Sequence, residues 1–126
     1  MANRTRAHKN LGDSTERVAA LYLEEQGCRI IGRNVRIRQG EIDLIAQDAG
    51  GLAFIEVKAR RGTAFGTPEE AITPRKQIRM VALAEAFLSR QPEFEGHPWR
   101  IDVIAIQLDR SGKVIRINHI KNAVQL

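Results

Sequence analysis

Three charged side chains interrupt the most apolar part of this sequence. Asp43 stands within "GEIDLIAQ" (40–47), and Glu56 and Lys58 within "LAFIEVKAR" (52–60). Carboxylates at that spacing suit a hard divalent cation, which prefers carboxylate and carbonyl oxygens. They also suit a shared proton, which raises one pKa. Lys58, two residues beyond Glu56, adds an ammonium that could sit beside a metal and a bound phosphate. A surface ladder of ion pairs, Glu41 with Lys58 and Glu56 with an arginine, fits the alternation equally well.

Strand side chains alternate between faces, so Glu41, Asp43 and Ile45 share one face and Phe54, Glu56 and Lys58 share another. Between the two runs lies Asp48-Ala49-Gly50-Gly51, a strong turn signal. A loop of Ala49-Gly50, or of all four residues, sets Asp43 opposite Glu56 and Glu41 opposite Lys58; an odd loop breaks that register. Directly opposed residues have Cβ atoms about 5 Å apart. Two carboxylates at that distance repel by roughly 3 kcal/mol at an effective dielectric near 20, against a whole-domain stability of only about 5–15 kcal/mol. The other face, Ile42, Leu44, Ile55 and Val57, is left to build the core.

The elements that must position these residues are legible around them. Residues 1–10 read as a flexible basic arm and 11–126 as one domain, in keeping with a chain of 126 residues. "DSTERVAALYLEEQG" (13–27) reads as a helix capped by Asp13 and stopped by Gly27, with Val18, Leu21 and Tyr22 as its apolar stripe and Ala19, Ala20 and Leu23 beside it. A strand with an irregularity at Gly32 follows, then the hairpin, then a glycine-containing loop over 60–68. Thr73-Pro74 starts a second helix running to about Ser89, with Ile78, Val81, Ala82 and Leu88 inward. "WRIDVIAIQL" and "KVIRINHI" are two further strands. The order helix, three strands, helix, two strands predicts an α/β fold around a mixed sheet.

Composition narrows the function. Hydrophobic content is 43% and charged content 28%, and no apolar run approaches a membrane span. One cysteine, Cys28, excludes an internal disulfide and a cysteine-rich metal site. These features, with no secretory leader at the N-terminus, predict a cytoplasmic protein. The net charge is +5 and fifteen of the twenty basic residues are arginine, which favours an anionic partner through bidentate phosphate contacts. Arg60 and Arg61 follow the Glu56-x-Lys58 strand, and Arg36 and Arg38 lie on the neighbouring strand. These four, with Lys76 at the start of the second helix, are the candidate nucleic-acid contacts.

Asp43 followed, across a turn, by Glu56-Val57-Lys58 resembles the PD-(D/E)xK nuclease superfamily. With "FGTPEEAI" and Lys76 after it, and "RIDVIAI", the match extends from Gly12 to about Ile106 and resembles the YraN-like bacterial family, related to archaeal Holliday-junction resolvases. Ile42 stands where the superfamily pattern has proline. The resemblance implies a restriction-endonuclease-like fold and a Mg²⁺ site, with Mn²⁺ as a substitute. It implies Asp43, Glu56 and the Val57 carbonyl as ligands. It assigns Lys58 to positioning or deprotonating the attacking water, and Glu16 to a further acid from the first helix. It implies a nucleic-acid partner, DNA ahead of RNA, and by analogy allows a homodimer.

Competing roles stay open at this level. Glu16 also stands where it would complete a capping box with Asp13. Asp102 shares a strand face with Arg100 and reads first as a structural ion pair. His8, His97 and His119 have no metal spacing, and Gln77 reads as a solvated helix residue. Three functions are compatible with the sequence: a metal-dependent endonuclease acting on DNA, including branched DNA; a non-catalytic nucleic-acid-binding module with a nuclease-like fold; and a protein-interaction factor using a sheet edge or the loop around Phe65.

Overall fold

The structure, a computed structural model, describes the backbone of residues 2–64 and 66–125, and the side chains of 14–64 and 66–125. Its elements run α1 (Ala2–Glu25), β1 (Arg29–Ile37), β2 (Gly40–Asp48), β3 (Gly51–Arg61), α2 (Pro74–Leu88), β4 (Trp99–Leu108) and β5 (Val114–Ile120). Short 3₁₀ turns cover Glu69–Ala71 and Pro92–Phe94. The sheet order is β1-β2-β3-β4-β5. β3 and β4 are parallel and every other pair is antiparallel. A parallel pair needs a crossover, and the segment carrying α2 supplies it. This is the mixed-sheet α/β architecture expected from the sequence.

Both faces of the sheet are covered. Ala19, Ala20 and Leu23 of α1 pack against Leu44, Ala46, Ile55 and Ile104. Met80, Leu83 and Ala84 of α2 pack against Ile45, Phe54, Ile101 and Val103 on the opposite face. Central strands buried on both sides read as nearly continuous apolar runs, and β4 is buried from Ile101 to Leu108. A fully buried Leu or Ile contributes about 1.5–3 kcal/mol, so these two layers dominate the stability.

The phase of each helix differs from the sequence expectation. On α1, Ala19, Ala20 and Leu23 are buried and Leu21 is 60% exposed. On α2, Met80, Leu83 and Ala84 are buried, Val81 and Leu88 are partly buried, and Ile78, 72% exposed, and Ala82 face outward, contrary to the expectation. On α1 the small residues Ala19 and Ala20 let the helix approach the sheet closely, whereas on α2 the contact is made by Met80 and Leu83 with Ala84. Helix α1 also begins at Ala2, within the span read as a flexible arm. Asp13 is therefore an interior helical residue, not a cap, and the capping box with Glu16 does not exist. Thr73 does cap α2, its side chain accepting from the Lys76 N–H at 3.2 Å.

The β2–β3 turn is the two-residue loop Ala49-Gly50, with Asp48 paired to Gly51. The Gly50 N–H donates to Asp48 Oδ1 at 2.8 Å. Gly51 has φ +123, and a Cβ there would lie 2.2 Å from the Pro98 carbonyl oxygen, so only glycine fits. In β1 the register shifts between Ile30 and Gly32, as the glycine predicted.

Under α1 a buried polar cluster ties β2, β4 and β5 together. Asp102 is fully buried; it accepts from Arg100 Nε at 3.0 Å and from the Asn122 N–H at 2.9 Å, and His119 Nε2 lies 2.8 Å away. Arg100 also reaches Asp48 at 3.0 Å. The Tyr22 ring meets His119 edge-on, 5.5 Å between centroids. Burial opposes ionisation of Asp102, but hydrogen bonds from His119, Asn122 and Arg100 outweigh it and hold the carboxyl below its usual pKa. The ion pair expected for Arg100 and Asp102 is thus the centre of a larger clamp. Asp102→Ala leaves Arg100 and His119 without their shared partner and is expected to cost about 3–5 kcal/mol in urea unfolding. A cost below about 1 kcal/mol, the worth of an exposed pair, would contradict the clamp.

Candidate metal centre

The paired register of β2 and β3 runs from Asp48–Gly51 to Leu44–Ile55 and ends there. Asp43 and Glu56 are the next residues on the two strands. The next β3 amide facing β2 is that of Val57, and the Asp43 side chain takes it: the Val57 N–H donates to Oδ2 at 2.9 Å. A side-chain carboxylate thus stands where a strand carbonyl would otherwise continue the ladder. N–H and C=O of one strand residue point to the same neighbour, so the Val57 carbonyl faces the same gap.

The parting has a visible cause in packing. Ile42 and Ile45, three apart on β2, both pack in the α2-side cluster, while Leu44 packs on the α1 side. Strict alternation would put Ile42 with Leu44, as the sequence suggested. β2 therefore turns locally around Asp43. Glu41 is not paired with Lys58, because the β2–β3 register stops at Leu44; on its other side it lies across from Arg36 on β1 and pairs with it at 3.3 Å.

Acidic groups converge on this gap from three elements. Glu16 of α1, Glu41 and Asp43 each offer a carboxylate oxygen, all within 4.8 Å of one another. Oriented with Nδ2 toward the acids, the Asn34 amide donates to Glu16 at 2.6 and 3.0 Å and to Glu41 at 3.1 Å. Asn34 has φ +48, a left-handed conformation that asparagine tolerates and most residues do not. Glu56 approaches Asp43 from β3, near enough for a hydrogen bond between the side chains. Its other partner is Lys76 of α2, whose Nζ lies 3.0 Å from Oε1.

Burial, then the neighbouring Glu56, pushes Asp43 up to about 7, against the opposing pull of the Val57 N–H; Glu16 adds to the rise. Burial, then Lys76 and Arg60, lowers Lys58 below the usual lysine range. Glu56 and Asp43 oppose the fall of Lys58 without cancelling it, because opposite charges favour ionisation and the like-charged neighbours and burial act against it.

Arg60 is half-buried, and its Nε is enclosed without a hydrogen-bond partner. Gln107 holds the strand end that carries it, donating to the Arg60 and Gly62 carbonyls at 3.2 and 2.6 Å. Arg36, Arg38 and Arg61 are exposed. Phe65 lies outside the described residues. Beyond it, Thr67 and Glu70 hydrogen-bond each other's side chain and backbone, and Glu69 is held by Arg116 and Asn118 on β5.

The model of Uncharacterised protein family UPF0102 matches residues 15–106, a span from α1 through most of β4 that includes every acid of the cluster. The chain belongs to that family. A UPF0102 protein of Symbiobacterium thermophilum is 48% identical over 91% of this chain and 96% of its own. One of Pelotomaculum thermopropionicum is 45% identical over 93% and 97%, and one of Geobacter sulfurreducens 44% over 94% and 91%. No helix among the described residues is long and apolar enough to cross a membrane.

In this UPF0102 chain the cluster is wider than the sequence motif. The sequence motif and its family resemblance mark Asp43, Glu56, Lys58 and Glu16, and give Glu41 and Asn34 no place in the site. Glu41 was visible as a second acid on the same strand, but its role depends on α1 delivering Glu16 beside it. Asn34 carried no pattern at all, because its reach depends on the irregular course of β1. Lys76 was read as a nucleic-acid contact and here bonds Glu56.

A group whose folded pKa is raised stabilises the fold below its unfolded pKa and loses that contribution as pH rises toward the folded value. For Asp43 the window is from about 4 to about 7. Asp43→Asn keeps an acceptor for the Val57 N–H and removes the charge. In EDTA its stability advantage over wild type is expected to grow through that window and level off above it, reaching a few kcal/mol in urea melts. An advantage that does not change with pH would contradict the crowding of Asp43.

Proposed function

We propose that this protein is a Mg²⁺-dependent phosphodiesterase that cleaves DNA, with branched DNA as a candidate substrate form. The observation that carries the reading is the convergence of Glu16, Glu41, Asp43 and Glu56 on the gap between β2 and β3. The Asp43…Glu56-x-Lys58 pattern adds to it through its resemblance to PD-(D/E)xK nucleases and archaeal Holliday-junction resolvases.

The donor set fits the metal. All the candidate ligands are hard oxygens, and Mg²⁺ with bonds of about 2.1 Å spans oxygens up to roughly 4.2 Å apart. The three carboxylates within 4.8 Å need only small side-chain movement to reach that spacing. Asp43 is the common member, with Glu56, Glu16 and Glu41 around it and the Val57 carbonyl facing the gap. When bound, Mg²⁺ would stabilise charge on the phosphate and make a bound water more acidic.

The chain's own residues do the rest. Asp43 is fixed by the Val57 N–H, so its position does not depend on a rotamer alone. Lys58, with its lowered pKa, gives up its own proton more readily than an ordinary lysine, so more of it is neutral and free to accept one from water. Lys76 neutralises Glu56 and sets its orientation. The Arg60 Nε, buried without a partner, suits a phosphate oxygen, and Arg61, Arg36 and Arg38 extend the basic surface. DNA as the substrate is in keeping with a cytoplasmic location.

The Lys76–Glu56 ion pair favours a second reading, a nucleic-acid-binding module without turnover, because it occupies one of the acids. The experiment that separates them incubates wild type and Asp43→Asn with linear and branched DNA in Mg²⁺ or Mn²⁺. Wild type is expected to cleave, and the variant to be slower by at least about 100-fold, the scale of deleting a charge-stabilising group. Equal trace cleavage by both would sink the enzymatic reading. Binding that weakens steeply with salt and ignores the metal would then support the module.

A further inference from the structure

The outward face of α2 is unlike that of an ordinary surface helix. Arg75, Ile78, Ala82 and Glu85 are spaced three, four and three residues apart, which keeps them on one stripe, and all four are exposed. Ile78 is 72% exposed, the most open of the large hydrophobic side chains among the described residues. Beside the stripe runs a groove of about 580 Å³, its apolar lining Ile78, Val81, Ala82 and Val124 and its polar lining Gln77 and Gln125 among others.

The stripe is self-complementary. Ile78 and Ala82 lie two residues either side of Met80, and Arg75 and Glu85 lie five either side. A second α2 laid antiparallel across the first sets each Ile78 against the other Ala82. It sets each Arg75 against the other Glu85. Neither Arg75 nor Glu85 forms an ion pair within the chain among the described residues. An isologous contact requires that the same patch satisfy itself, and the spacing of this one lets it do so in charge, with its apolar residues facing each other.

We propose that α2 is a homodimer interface, with two copies packed antiparallel through the Arg75–Ile78–Ala82–Glu85 stripe. Ile78 fills the groove of the partner, between its α2 and its residues 123–124. The apolar centre is short, so the dimer belongs with transient interfaces of small buried area. The inference stands apart from cleavage, because no member of the stripe belongs to the acid cluster.

The test is sedimentation equilibrium of the full chain over a wide concentration range. A shift from 14.1 kDa toward twice that mass is expected. Ile78→Asp should weaken the dimer at least about tenfold, as loss of a central anchor does. Arg75→Glu and Glu85→Arg should each do the same by setting like charges together. Combining the two reversals should restore association to within about threefold of wild type. Both reversals improve the match to the helix dipole, so a lost dimer cannot be put down to a lost fold. A monomer at every concentration overturns the proposal. So does a dimer indifferent to Ile78→Asp, or a double variant as weak as the singles.

Discussion

The hydrogen bond from the Val57 N–H to Asp43 is the contact on which the rest of the site depends. It ends the β2–β3 ladder without leaving a buried amide unpaired, which would cost about 1–3 kcal/mol. It also fixes a carboxylate inside the sheet, where a flexible surface acid could not be held. Once Asp43 is there, its neighbours have little freedom. Glu56 is beside it by strand register, and Ile42 is drawn to the α2 side as β2 turns. The crowding of negative charge is the price of that placement, and Lys76, Asn34 and Arg36 each relieve part of it.

The helices serve the site by the way they pack. Thr15, Ala19, Ala20 and Leu23 form the buried side of α1, and Glu16 follows Thr15 at the edge of that contact. Small side chains bring the helix axis close to the sheet, which lets one acid from α1 meet two from β2. On the opposite face, the Thr73 cap fixes the first turn of α2 and with it the position of Lys76. At the far end of the sheet the Asp48–Arg100–Asp102–His119 clamp holds β2, β4 and β5 in one frame. The site therefore rests on rigid elements on every side.

Much of this was legible in the sequence. The turn residues Ala49-Gly50 fixed the hairpin register, and Thr73-Pro74 fixed the start of α2, because both act through local backbone preference. The ion pair of Arg100 and Asp102 followed from alternation along one strand. The misreadings share one cause: they concern where a segment sits relative to others. Leu21 and Ile78 looked like core residues because they are large and apolar, yet Ala19, Ala20 and Leu23 face the sheet on α1, and Met80, Leu83 and Ala84 on α2. Asp13 looked like a cap because nothing local says that α1 begins at Ala2. Glu41 and Asn34 entered the cluster through the turn in β2 and the irregular course of β1, neither of which leaves a periodic trace.

The central claim is that the carboxylates gathered at the parting of β2 and β3 form a divalent-cation site. The most direct measurement is anomalous diffraction from crystals of the wild-type protein soaked with Mn²⁺. The account predicts a metal peak within bonding distance of an Asp43 oxygen, with at least one of Glu16, Glu41 and Glu56 in the same coordination shell. A fully soaked crystal with no peak at Asp43, and with Glu56 still bonded to Lys76, would contradict it.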